Sequence, residues 1–496
     1  MVAVKTTHLA SSKNDTIAIF VWKGESVEKS LPASLKATQS VRCGSDMFKG
    51  EEGEKRLLYT ADSSLTKKII LIGLGSKKEF NIPKFRNCIG DICKYASNAK
   101  ISSLSFLLGD NVTHGNVISG TDAAFVITEI VQLAAYSFQK HKTKDEKNKK
   151  HLKDITILAV RSQLLNALQQ AVGRAVLIAQ ATNNARDLVN GPTNDITPQG
   201  FARYIVAEAK KLPVECQVLG LKEIKKEKMG GVLAVSQGSG NEPVFLILRY
   251  KGRGRKKKKV CLAGKGICFD SGGLCLKPPW NMSDMRYDMA GGAVCAQVVL
   301  LAARLKISHE VVALIPLCEN SADGKAYRPG DIVKTLSGLT VEVINTDAEG
   351  RMIMCDALYY ARKYNPDIVV SVGTLTGAAK ICLGDKAAAL LGNNERIMHA
   401  LQKAGEAVGE RLWRLPLWED YQEDIKSDVA DLKNMGKKGA GTIIAATFLS
   451  NFIPKTKWGH LDIAATAWED EGKSFIAKGA SGFGIRLLVR FLSSLN

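Results

Sequence analysis

Several classes of protein are excluded by what this chain lacks. No stretch approaches the roughly 20 uninterrupted apolar residues of a membrane-spanning helix, because Lys, Arg, Asp or Asn breaks each apolar run. The eleven cysteines are scattered and odd in number, with no C-x-x-C pair. That speaks against a disulfide framework or a structural zinc finger and for a reducing compartment. Residues Met1–Asn14 are polar and lack the apolar segment of a secretory signal. They also lack arginine, so the cytoplasm is expected, with the mitochondrial matrix as the alternative. There is no H-E-x-x-H and no G-x-S-x-G, and the G-K-G at 264–266 lacks the spacing and the K-[ST] ending of a phosphate loop. No repeat of fixed period is present.

What is there is an ordinary folded composition over 496 residues, 45% hydrophobic and 24% charged, long enough for two domains. The net charge of +20 raises the question of nucleic acid. The basic runs, however, are short segments at His141–Lys153 and Lys251–Lys259. Both sit between apolar runs without interleaved aromatics, the pattern of solvated loops rather than of a surface that tracks phosphates.

Buried strands are expected at Ile17–Trp22, Lys68–Leu74, Ile101–Leu108 and Ile155–Val160, with a helix over Ala123–Gln139. A proline-free helix over Gln163–Asn190 ends at Gly191-Pro192. Beyond it come helices at Gln199–Lys211, Ala290–Leu305 and Met352–Lys363. Strands follow the same reading at Glu215–Leu219, Val244–Tyr250, Val260–Ala263, Val311–Pro316 and Ile368–Thr374. This alternation predicts an α/β protein. A smaller N-terminal α/β domain spans 1–162, a connecting helix 163–190, and a larger C-terminal catalytic domain 191–496. The latter has a mixed, mainly parallel central sheet flanked by helices.

Ionisable residues gather between Lys265 and Arg351, near predicted strand ends: Lys265, Asp270, Lys277, Asp288, Asp347, Glu349 and Arg351. Asp347 and Glu349, two apart, project to one side if the segment is extended. Four acids in one cleft repel unless cations neutralise them, and a pair of divalent ions does so while activating water. A lysine joins such a site as a ligand only as a neutral amine. Taken singly, each residue has a plain reading. Asp270 caps a loop, Lys277 before two prolines lies on the surface, Asp288 opens a helix, and Arg351 pairs with a nearby acid. Cys268 and Cys275 have no nearby histidine and read as packing residues, and His460 as a satisfied histidine at a strand start.

The segments G-K-G-I-C-F-D-S-G-G (264–273) and N-T-D-A-E-G-R (345–351) resemble the hallmarks of the leucine aminopeptidase (cytosol aminopeptidase) family of dinuclear metallopeptidases. So do V-G-T-L-T-G-A (372–378), V-A-D-L (429–432) and H-L-D-I-A (460–464). The resemblance runs from about Thr182 onward, while the N-terminal part is similar mainly in layout. It implies an aminopeptidase that removes N-terminal leucine and other apolar residues from short peptides through a metal-bridging hydroxide. Two divalent ions per subunit are implied, Zn²⁺ and/or Mn²⁺ with Mg²⁺ possible. Asp270 and Glu349 would bridge them, Lys265 and Asp288 would complete the more exchangeable site, and Asp347 the tighter one. Lys277 would polarise the scissile carbonyl and Arg351 would hold a bicarbonate as general base. Met285, Thr374, Gly377, Ala464 and Ala467 would line the substrate pocket, widened at Ala467 where some members carry methionine. A homohexamer of two stacked trimers is implied, its active sites facing an interior cavity. The family also contains catalytically silent paralogues. A structural or nucleic-acid-binding protein is therefore the alternative, and retention of every ligand and catalytic position argues for a working enzyme.

Overall fold

A computed structural model describes residues 3–8, 14–31, 48–60, 66–108, 117–143, 152–159, 162–254, 257–437, 439–453 and 455–495. The chain divides into two compact units, one comprising Met1–Gln180 with Glu471–Ala477 and the other Ala181–Asp470 with Lys478–Asn496. The boundary falls inside the helix Leu165–Asn190.

The first unit is built on a six-stranded sheet. Its strands are β1 (Ala3–His8), β2 (Asn14–Val21), β3 (Lys55–Tyr59), β4 (Thr66–Gly73), β5 (Ser103–Leu108) and β6 (Asp154–Ala159), in the order β1-β6-β5-β2-β4-β3. Only β3 runs antiparallel to its neighbour. Alternate residues of β2 serve opposite faces. Ala18 and Phe20 pack with the helices Ile82–Asn98 and Gly120–Ala134, and Ile17, Ile19 and Val21 pack on the other side. Both faces are covered, so the strands read as continuous apolar runs. β1 and β3 were not expected, because they are polar edge strands held by register rather than by burial. The helix Ile82–Asn98 also escaped notice, although Asn81 caps it by accepting the Lys84 N–H at 3.0 Å. The helix expected to reach Gln139 stops at Ala134. Val160 and much of the basic run 141–153 lie outside the described residues.

The second unit carries a nine-stranded sheet. Its strands are β7 (Glu215–Leu219), β8 (Val244–Tyr250), β9 (Lys259–Gly264), β10 (Gly266–Asp270), β11 (Glu310–Asn320), β14 (Ile368–Gly373), β15 (Ala388–Gly392), β16 (Leu412–Arg414) and β18 (Lys457–Asp462). The order is β16-β15-β18-β14-β9-β11-β8-β7, with β10 beside β11. A small sheet of β12 (Ile332–Lys334), β13 (Thr340–Glu342) and β17 (Leu432–Lys433) lies apart from it. The central strands β18, β14, β9, β11 and β10 are mutually parallel. Their carboxyl ends therefore lie at one edge, where open α/β sheets place ligand sites. The helix Ala290–Arg304 is buried along nearly its whole length and supports β9, β11 and β14 from one face. Both units match the expected mixed α/β class.

Among the described residues no helix is long and apolar enough to cross a membrane. None of the described cysteines is in a disulfide. In the 251–259 loop, Lys251 and Lys257 face Glu215 and Glu310, while residues 255 and 256 lie outside the described set.

Candidate metal centre

The expected acids and lysines come together at that carboxyl edge. Lys265 occupies the single residue between β9 and β10, and Asp270 ends β10. Asp288 lies in the 3-10 turn Met285–Met289 that leads into the helix Ala290–Arg304, so it is not itself the first helical residue. Asp347 and Glu349 do not share an extended segment. Asp347 is in a turn, and Glu349 is the first residue of the helix Glu349–Tyr360, where the helix dipole favours its charge. The turn performs the task assigned to the extended strand. One carboxylate oxygen each from Asp270, Asp347 and Glu349 lie within 4.8 Å of one another.

Two lysine ammonium groups hold this charge apart. Lys265 Nζ lies 2.7 Å from Asp288 Oδ2 and 2.8 Å from Glu349 Oε1, and donates to the Thr374 carbonyl at 2.9 Å. Lys277 Nζ lies 2.8 Å from Asp270 Oδ2 and 2.5 Å from Asp347 Oδ1. Lys277 is thus no surface residue, despite the two prolines after it. Its side chain is 16% exposed and that of Lys265 only 3%. Close approach requires glycine at 350, where a Cβ would sit 2.5 Å from Lys265 Cε.

The electrostatics follow from burial. Desolvation raises the carboxyl of Asp270, reinforced by Glu349 and opposed by Lys277 and Lys265. Desolvation also raises Asp347, with Asp270 adding to it, and drives Asp288 well up against the pull of Lys265. Burial alone would push Lys265 and Lys277 toward neutrality. The surrounding acids outweigh it and hold both above the ordinary lysine range. One oxygen remains unanswered, since Glu349 Oε2 is buried with no hydrogen-bond partner. A buried, unpartnered carboxylate oxygen in an all-oxygen acid cluster, with one amine alongside, is the donor set a divalent ion takes.

Arg351 does not pair with a carboxylate. It is buried, donates from Nη1 to the Asn434 carbonyl at 2.7 Å, and its Nε has no partner. Burial pulls its pKa down to about 10. That leaves a guanidinium with capacity for an anion.

Thr374 of the expected pocket is tied to the cluster directly, since its hydroxyl donates to Asp288 Oδ1 at 2.7 Å. Met285 opens the turn that bears Asp288. Gly377 begins a helix capped by Thr376, and Ala464 donates its N–H to Asp462. The Asp462 carboxylate also accepts from Leu375 N–H and the Thr376 hydroxyl, so one buried acid joins both pocket segments. Ala467 makes no such link and lines a small apolar cavity with Ala290, Val294 and Ile463. Asp462, Asn320, Thr346, Tyr327 and Asn434 all serve the site without having been singled out. They converge from separate segments, and spacing carries no signal for that.

Competing chemistries find no support. Burial pushes the Cys268 thiol well up, away from a reactive thiolate. His460 is in the body of β18 rather than at its start. It shares a hydrogen bond at 2.9 Å with the Ser371 hydroxyl, and burial lowers it to about 3, so it stays neutral.

Comparison with known proteins identifies the family. Residues 183–489 match the cytosol aminopeptidase family, catalytic domain, and residues 18–145 that family's N-terminal domain. A probable cytosol aminopeptidase of Geotalea uraniireducens is 40% identical over 449 residues, covering 90% of each chain. One from Syntrophotalea carbinolica is 38% identical over 484 residues, covering 97% of each. A solved structure of the bottromycin maturation enzyme BotP in complex with Mn superposes with a TM-score of 0.83 at 30% identity, covering 97% of this chain and 99% of that one. The matched domains, the extent of identity and the shared fold lead to one conclusion: this chain belongs to the cytosol aminopeptidase family of peptidases.

Proposed function

We propose that this aminopeptidase removes N-terminal residues, leucine and other apolar ones preferred, from short peptides, using two divalent metal ions held by the acid cluster. The observation that carries this reading is the convergence of Asp270, Asp347 and Glu349 around the unpartnered Glu349 oxygen. Asp270, Asp288, Asp347 and Glu349, with Lys265 once it is neutral, would hold the ions. Bound there, divalent ions supply water activation and carbonyl polarisation. Manganese is the first candidate, because the structurally similar BotP is described in complex with Mn. Lys265 must give up its proton to become a ligand, so metal uptake releases protons.

The chain's own residues supply the rest. Lys277 keeps its ammonium charge beside Asp270 and Asp347 and offers a donor to the oxyanion that develops on the scissile carbonyl. Arg351 would hold a bicarbonate, which would supply a general base, and no histidine among the described residues joins the cluster to supply one. Thr374, Gly377, Ala464, Ala467 and Met285 shape the pocket for the N-terminal side chain. A cytoplasmic homohexamer completes the reading, its enclosed sites admitting only short peptides. A catalytically silent role is not favoured, since every charged position of the cluster is present and assembled.

The test is hydrolysis of leucyl amide by purified protein. Activity is expected to vanish on chelation and to return with Mn²⁺. Mn²⁺-loaded protein that cleaves no aminoacyl amide overturns the proposal.

The pKa directions add a second prediction. Asp270, Asp288 and Asp347 titrate above the ordinary aspartate value of 3.8. Stability from these protonated groups is fully present below that value and is lost as pH rises through the raised values. Metal binding needs the same carboxylates ionised and has the opposite slope. The difference in melting temperature between Mn²⁺-loaded and chelated protein is therefore expected to be small near pH 4 and to widen toward pH 7. A difference independent of pH counts against these acids as the ligands. Taking the difference cancels titrations remote from the site, such as that of His460.

A further inference from the structure

The two halves of the acid cluster come from segments far apart in sequence, and a buried hydroxyl is among the groups that join them. Asp270 and Lys277 belong to the loop 270–277, which closes on itself through Lys277 N–H donating to the Ser271 carbonyl at 2.9 Å. Asp347 lies in the turn after Asn345, and Glu349 opens the helix that follows. Thr346, fully buried, precedes Asp347 in that turn. Its Oγ1 donates to the Gly272 carbonyl at 2.6 Å and accepts the Cys275 N–H at 2.8 Å. The hydroxyl is therefore used in both directions, and both partners belong to the Asp270 loop.

The Thr346 carbonyl is held as tightly. It accepts from the Tyr327 hydroxyl at 2.7 Å and from Asn320 Nδ2 at 3.0 Å, and the same Asn320 nitrogen donates to Asp270 Oδ1 at 2.8 Å. Gly273, at φ +64°, lets the loop lie against this point. A Cβ there would sit 3.0 Å from Thr346 Oγ1 and 2.8 Å from Asn320 Oδ1. The spacing leaves no room for a side chain at 273, and the two hydroxyl bonds hold the loop to the turn.

We infer that Thr346 is a positioning residue that sets the separation of the two ligand loops, with Asn320 and Tyr327 fixing Thr346 in turn. The inference rests on the proposed metal-site reading. Ligand groups oriented by hydrogen-bonded partners lose metal affinity when those partners are removed, typically by about 10- to 100-fold. Thr346→Val keeps shape and volume but abandons the Gly272 carbonyl and the Cys275 N–H. Thr346→Ser keeps the hydroxyl.

The measurement is calorimetric titration of chelated, full-length protein with Mn²⁺ alone, paired with the melting temperature of the metal-free form. Thr346→Val is expected to weaken Mn²⁺ binding at least about tenfold, and Thr346→Ser to restore it to within about threefold of the parent. Tyr327→Phe, a milder change that leaves the fold's packing intact, is expected to weaken it about three- to tenfold. It keeps the inference testable should the valine variant not fold. Unchanged Mn²⁺ affinity in Thr346→Val or Tyr327→Phe, with only the melting temperature lowered, overturns the inference and makes the network merely structural. Parent protein that takes up no Mn²⁺ overturns the metal reading itself, and this inference with it.

Discussion

Asp347→Ala is expected to cut leucyl-amide hydrolysis by on the order of 10³ or more while leaving the fold intact. Asp347 is the most exposed member of the cluster, its side chain 34% accessible, so its removal opens no deep cavity. It is also one of the three acids that converge, and alanine leaves Asp270, Asp288 and Glu349 as the acids available to two ions. The sign of the stability change separates this account from a structural role. Burial and the proximity of Asp270 raise the Asp347 carboxyl, so ionising it in the metal-free protein is unfavourable. Lys277 stays paired with Asp270 in the variant. Metal-free Asp347→Ala is therefore expected to melt no lower than the metal-free parent, while the increment gained from Mn²⁺ shrinks. Full turnover in a variant prepared without metal and then loaded, or a melting temperature that falls equally with and without Mn²⁺, rejects Asp347 as a ligand.

That cluster was legible for a definite reason. Lys265 and Asp270 lie at the ends of apolar strands of the parallel sheet, Asp288 just before an apolar helix, and Asp347 and Glu349 after the short strand β13. The gathering of these charges between predicted apolar elements marked the site. The local geometry was less legible. Two acids at spacing two suit an extended strand, and nothing nearby announced that Ala348 ends a turn and Glu349 starts a helix. Read singly, Arg351 would pair with a carboxylate, the usual way to bury a guanidinium, whereas the family resemblance gave it an anion to hold. The protein instead satisfies it in part with the Asn434 carbonyl, 83 residues away in sequence.

The same distinction holds for the fold. Strands buried on both faces, such as β2, β9 and β14, declared themselves as apolar runs, because parallel sheets covered by helices demand them. β1 and β3 are polar edge strands whose pairing depends on partners elsewhere, and they carry no such mark. The supporting groups Asn320, Thr346, Tyr327 and Asp462 were invisible for a related reason. An uncharged or singly placed polar residue in an otherwise apolar segment is unremarkable until the fold shows which loops it joins.

Lys277→Met is expected to lower kcat by on the order of 10²–10³ with metal content unchanged, since it removes a donor aimed at the developing oxyanion. The variant discriminates because Lys277 has two possible duties. As a purely structural counter-ion to Asp270 and Asp347, its loss leaves buried Asp270 and partly exposed Asp347 without their shared cation, which lowers metal-free stability. Deleting a cation beside these acids favours rather than opposes binding of another cation, so Mn²⁺ affinity is expected to hold or rise. Metal loading should then recover the lost stability without recovering the rate. Arg351→Ala offers the contrast. Water or buffer partly replaces a positioned base, so its loss is expected to be smaller, on the order of 10–10². The parent's dependence on added bicarbonate should disappear with it. A Lys277→Met protein that loses its metal, yet turns over normally in whatever fraction stays loaded, confines Lys277 to the counter-ion role.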